Sequence, residues 1–224
     1  MSCNIFAMFK KIIRQYKEVF FVKKNILSLI WGVFLFVVAI GIQTLADKYV
    51  GLVQTRAVPD LILDHIPSLS IGELIIQAVL WFSVLTIIVV IIRPKHLSFI
   101  LKTFFLFFVV RAILISLTHL GASPQQLVFN PNAFGYGIYN IFYNSNNDFI
   151  FSAHTGIPFL FGLIFLEEKR FRNFFIVTSI LFGASVLIAH IHYSIDVFAA
   201  PFITYAIFRQ SKKWFKKDYE FSKS

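Results

Sequence analysis

Long stretches with almost no charge recur along this 224-residue chain, at 26–46, 72–92, 97–117, 149–166, 173–192 and 195–209. A helix needs ~20 apolar residues at 1.5 Å each to cross ~30 Å of hydrocarbon, and most of these stretches meet that length. Lipid offers no partner to a peptide N–H or C=O, so a segment inside it must satisfy its own backbone, which favours helices. With 58% hydrophobic and only 14% charged residues, the chain would aggregate in water. The expected fold is an all-α integral membrane bundle of six transmembrane helices. The first run is followed by no small-residue cleavage site and reads as a retained span.

Six spans place both termini on one side, and the distribution of Lys and Arg says which side. Lys10, Lys11, Arg14, Lys17, Lys23 and Lys24 precede the first span, two more sit at 93–96, three at 167–172, and six follow from Arg209 onward. The opposite side carries only Lys48 and Arg56. Both termini are therefore expected in the cytoplasm of a multi-pass protein. The net charge of +10 lies in blocks flanking apolar runs, which argues for membrane orientation and against nucleic acid. Three parts follow: a basic amphipathic segment 1–25, a six-span domain 26–210 and a basic tail 211–224. Ile5, Phe9, Ile12, Ile13, Tyr16 and Phe20 at helical spacing, opposite Lys10, Arg14 and Lys17, suit an interfacial helix on anionic lipid. The tail, with Trp214 and Phe215 among lysines, is read the same way.

Polar residues interrupt the apolar runs at two places, 147–155 and 189–196. Ionisable groups at membrane depth are costly and mark function. With the topology above, His154 begins the fourth span, His192 ends the fifth and Asp196 begins the sixth, so all three meet near the outer leaflet. Arg111 lies 14 residues into the third span, about 21 Å along a helix, and belongs to the same half.

Such a set can perform phosphoryl transfer. A carboxylate four residues from His192 can fix its tautomer and leave the other ring nitrogen as nucleophile or base. His154 can protonate a leaving oxygen. Arg111, Ser152, Thr155 and the N–H groups opening the fourth span can hold an anion. Each residue also has a plainer use: membrane histidines bond neighbouring helices, Asp196 can serve a helix N-terminus, and Arg111 can snorkel or pair. Four plain uses meeting at one depth would be four coincidences. Cys3 is the single cysteine, so no intramolecular disulfide forms, and no cysteine pair or cluster exists to hold zinc or an iron–sulfur centre.

Three stretches carry a family resemblance: Arg-Ala-Ile-Leu-Ile-Ser-Leu-Thr-His-Leu at 111–120, Asp-Phe-Ile-Phe-Ser-Ala-His-Thr at 148–155 and His-Ile-His-Tyr-Ser-Ile-Asp-Val at 190–197. They resemble the boxes of the type 2 phosphatidic acid phosphatase (PAP2) superfamily, and within it the sphingomyelin synthase branch. The resemblance implies that His192 attacks lipid phosphorus, Asp196 orients it, and His154 serves as acid and then base, with the site on the extracytoplasmic side and with no metal or organic cofactor. It also has departures. No early Lys-x6-Arg-Pro element occurs, and Val186 stands where the superfamily's phosphatases place an arginine six residues before the second histidine. Fewer cations neutralise a dianionic monoester poorly, which favours a monoanionic diester headgroup. Ala153 replaces the usual glycine, and 146–147 are Asn-Asn where animal enzymes of the branch have Cys-Gly.

Between the third and fourth spans, 118–148 holds no Lys or Arg but many aromatics. Phe134, Tyr136, Tyr139 and Tyr143 can surround a choline-type ammonium or form an aromatic belt at the lipid boundary. Asp148 can attract an amine headgroup or cap the fourth span. The expected activity moves phosphocholine or phosphoethanolamine from a glycerophospholipid to a lipid alcohol such as ceramide or diacylglycerol. A phosphatase with water as acceptor is the sibling reading, and a small transporter or an inactive scaffold are readings of other classes. Donor and acceptor lipids are the expected partners, and oligomeric state is left open.

Overall fold

The computed structural model of the chain describes residues 2–53, 56–143 and 149–224. Among them are nine α-helices and no β-strand: α1 (Ser2–Phe20), α2 (Lys23–Leu52), α3 (Gly72–Ile92), α4 (Leu97–Leu117), α5 (Tyr136–Tyr143), α6 (Ala153–Ile164), α7 (Lys169–Ile188), α8 (Ser194–Trp214) and α9 (Lys216–Lys223). Four of these are long and apolar enough to cross a membrane: α2, α3, α4 with its leading 3-10 turn, and α7. The chain is a membrane protein on that evidence. The other two expected spans differ in detail. The fourth is helical only over the 12 residues of α6, about 18 Å, because Ser152 caps it at one end and the chain turns before Glu167 at the other. In the sixth, α8 is 21 residues long, but Asp196, Arg209 and Gln210 dilute its hydropathy.

Aromatic rings fill the centre. Phe99, Phe107, Phe151, Phe165, Phe175 and Phe208 are fully buried where α4, α6, α7 and α8 meet. Phe161 of α6 and Phe175 of α7 stack at 5.1 Å, and Phe104 of α4 meets Phe161 at 5.5 Å, so the contact between α4 and α6 is ring on ring. Close approach of α7 to α6 and α8 depends on Gly183, where a Cβ would stand 3.0 Å from Val197 Cγ1 and 3.2 Å from Thr155 Oγ1. Small residues at such crossings let helices pack in lipid, where burial alone drives little association. On the outside, Trp81, Ile88, Val37, Leu45 and Phe202 are exposed, a surface that water would not tolerate and acyl chains would.

At the end of the bundle where α1 and α9 lie, the tail is docked rather than trailing. Asp218 of α9 accepts from the buried Lys102 ammonium at 2.7 Å and from Ser98 Oγ at 2.9 Å. Tyr219 packs against Phe99, ring centroids 5.2 Å apart and tilted. Nearby, Lys95 pairs with Glu18 of α1 and donates to the Ser224 carbonyl at 3.1 Å. Asp218 of the tail thus neutralises the Lys102 cation buried in the bundle, and the tail's aromatic face packs inward.

Candidate active site

Three helix ends meet at the opposite end of the bundle. Helix α6 starts at Ala153 because Ser152 Oγ accepts the Thr155 N–H at 3.4 Å, a serine N-cap. His154 is therefore in the first turn, and Pro158 four residues later leaves the His154 carbonyl without its intrahelical donor. Helix α7 stops at Ile188 because His190 takes a left-handed conformation (φ 52°), a terminator usually supplied by glycine. The Ile191 N–H then returns to the Val186 carbonyl at 2.9 Å and closes the helix end. Helix α8 begins at once, with Asp196 accepting the Tyr193 N–H at 3.0 Å. His192 is held in the reversal between them.

The resulting geometry is compact. The His154 and His192 rings lie 5.7 Å apart, centroid to centroid, edge to face. His192 Nδ1 is 3.2 Å from Asp196 Oδ2, and both side chains are buried. Asp196 Oδ1 accepts the Ile150 N–H at 2.7 Å. Ile150 has φ 92°, a costly conformation for a β-branched residue, and that strain aims its N–H at the carboxylate. Arg111 is buried in α4, within electrostatic reach of both His154 and Asp47 of α2.

Other expected residues fall in varied places. Tyr139 is buried, and its hydroxyl meets His154 Nε2 at 3.1 Å. Tyr136 packs in the cluster around Ile75, Ile76 and Val186, while Phe134 is exposed, so these three rings do not enclose one cage. Thr155 is buried against α7, where its carbonyl accepts from Ser179 Oγ at 2.8 Å, and its hydroxyl bonds Ser152 Oγ at 3.4 Å. Asp148 and the side chain of Tyr143 lie outside the described residues.

Two supports are absent from the sequence reading. Tyr193 donates its hydroxyl to the Gly121 carbonyl at 2.8 Å and receives the Val58 N–H at 3.2 Å, tying two outer loops to the reversal. Asp60 accepts N–H groups from Ile62, Leu63 and Ser194, the last at 2.7 Å at the start of α8. No local pattern links Asp60 to Ser194, 134 residues on. Burial pushes the Asp60 carboxyl up, but the backbone donors of Leu63, Ser194 and Ile62 outweigh it and hold the group below the ordinary 3.8.

A depressed carboxylate stabilises the fold above its unfolded pKa, and the contribution disappears as pH falls through the lower folded value. Asp60→Asn leaves at least one buried N–H facing an amide, so it should cost about 1–3 kcal/mol at neutral pH. Thermal unfolding in detergent should show the gap at pH 7 and its closure well below pH 3.8. A gap of equal size at both pH values would show that the carboxylate charge is irrelevant.

Comparison with known proteins fits this site. Residues 146–213 match the family model described as PAP2 superfamily C-terminal, a range that takes in α6, α7, the reversal and nearly all of α8. The match covers less than half of the chain and includes both histidines and Asp196. It supports the PAP2 superfamily and, with it, an enzyme of the lipid phosphatase or phosphotransferase type. No curated protein and no solved structure matches the chain.

Proposed function

We propose that this chain is a lipid phosphotransferase of the sphingomyelin synthase-like branch, moving phosphocholine or phosphoethanolamine from a glycerophospholipid to a lipid alcohol such as ceramide or diacylglycerol. The observation that carries the reading is the imidazole pair with centroids 5.7 Å apart and a carboxylate on one ring, close enough for both rings to serve one phosphate ester. In the first half-reaction His192 Nε2 attacks phosphorus, the N–P bond forms, and the P–O bond to the lipid alcohol breaks. His154 gives that oxygen its proton, while Asp196 takes the Nδ1–H bond and stabilises the charge gathering on the His192 ring. In the second half, His154 removes the acceptor's proton, the new P–O bond forms and the N–P bond breaks. Tyr139 holds the His154 ring by its hydroxyl, and Arg111, with Asp148 six residues before His154, serves the phosphorylated headgroup.

Topology completes the proposal. Six spans with both termini cytoplasmic set the imidazoles near the extracytoplasmic face, and the count of Lys and Arg supports that orientation. The basic α1 then rests on anionic lipid. Water in place of the lipid alcohol would give the sibling phosphatase, and the single arginine, with Val186 where the phosphatases carry another, favours a monoanionic diester over a dianionic monoester. Purified protein in vesicles, given headgroup-labelled phosphatidylcholine or phosphatidylethanolamine, should form a new labelled lipid only when ceramide, or a diacylglycerol whose acyl chains differ from the donor's, is present. Release of water-soluble phosphorylated headgroup at the same rate with or without acceptor would replace the transferase by the hydrolase.

A further inference from the structure

A narrow cleft opens between α3 and α7, lined by Leu74, Ile75, Ala78, Val79, Phe182, Ser185 and Val186, and reaches His154. Among the described residues that line it, the one polar side chain besides the imidazole is Ser185, whose hydroxyl is already turned back onto the Leu181 carbonyl at 2.8 Å. No cation is among those lining residues, so the cleft does not suit phosphate. Leu74 at its mouth is 65% exposed, whereas Val79 and Val186 deeper in are buried. Both walls are helices apolar enough to cross a membrane, so the mouth faces acyl chains. Its enclosed space of about 20 Å³ is far below the roughly 300–1,000 Å³ of pockets that take a whole drug-sized ligand, so it suits a methylene stretch and not a headgroup.

We infer that this cleft is the lateral seat of the lipid alcohol, holding the hydrocarbon next to the hydroxyl that exchanges its proton with His154. The inference rests on the proposed function and adds its second substrate site: the phosphorylated headgroup lies on the side of Arg111 and His192, and the alcohol arrives from the bilayer between α3 and α7. Ala78 sets the bore. A tryptophan there fills the cleft, whereas Leu181, exposed on α7 and outside the lining, offers a matched position for the same bulk.

The test uses the full chain in phosphatidylcholine vesicles containing a diacylglycerol with a diazirine in one acyl chain. Irradiation should place adducts on 72–80 and 182–188, suppressed by excess plain diacylglycerol and by Ala78→Trp but not by Leu181→Trp. Ser185→Phe narrows the cleft from the other wall and should act as Ala78→Trp does, which guards against one misfolded variant. In turnover, either blocking change should lower the ratio of long-chain to short-chain acceptor use at least about tenfold. Adducts absent from these segments, or indifferent to both competitor and blocking residue, overturn the seat. Competed labelling in a protein with no transfer or hydrolysis supports the seat and overturns the enzymatic reading; transfer with labelling elsewhere does the reverse.

Discussion

With His192 replaced by alanine, phosphoryl transfer is expected to fall by about 10⁴-fold or more, and the phosphorylated imidazole should vanish from protein trapped with labelled donor lipid. The effect is large because the residue forms the bond to phosphorus, and nothing else in the reversal offers a nucleophilic ring nitrogen at that position. The fold should survive. The helix end is closed by backbone bonds, Ile191 N–H to Val186 C=O at 2.9 Å among them, and Asp196 keeps its Ile150 and Tyr193 donors. Loss of one charge-assisted contact should cost only about 1–3 kcal/mol. His119→Ala is a suitable comparison, since that imidazole is exposed and bonds the Tyr49 hydroxyl at 3.2 Å. Base-stable, acid-labile label on the wild type and none on the variant is the signature of the phosphohistidine. A variant that keeps wild-type turnover would remove His192 from the chemistry and, with it, the case for transfer through a protein-bound phosphoryl group.

Helix limits were readable wherever chemistry at the boundary is local. The expected runs 72–92 and 97–117 coincide with α3 and α4, because Arg93 and Pro94 interrupt the apolar pattern between them. Boundaries set by distant contacts were not readable. The run 149–166 looks continuous, yet Ile150 is bent to a positive φ by its bond to Asp196, 46 residues away, and the helix waits for Ser152. Likewise 173–192 continues past the true end of α7, because a histidine, not a glycine, takes the left-handed turn. The site follows the same division. His154, His192 and Asp196 converge as antiparallel threading requires, but Tyr139, expected in a choline cage or an aromatic belt, meets His154 with its hydroxyl. Asp60 and Tyr193 act through loop contacts more than 70 residues apart, for which spacing carries no signal.

Asp196→Asn separates orientation from mere support. The carboxylate is fully buried and accepts three N–H groups on two oxygens: Ile150 on Oδ1, Tyr193 and His192 on Oδ2. An amide has one acceptor oxygen and one donor nitrogen, so it fails in either orientation. With its oxygen toward Ile150, the NH₂ confronts the Tyr193 N–H and drives His192 to present an unprotonated Nδ1, which puts the proton on Nε2 and blocks the nucleophile. With its oxygen toward His192, the Ile150 N–H is orphaned and the strained φ of 92° loses the bond that sustains it. Either way stability should drop by about 1–3 kcal/mol, and turnover should drop far more, by about 10³–10⁴-fold, as when a buried aspartate that sets a catalytic histidine tautomer is neutralised. Nitrogen NMR of the labelled ring should show the tautomer shift directly. If the variant loses the stability yet turns over at the wild-type rate with an unchanged tautomer, Asp196 is a helix-end acid that braces the reversal, and some other group must orient His192.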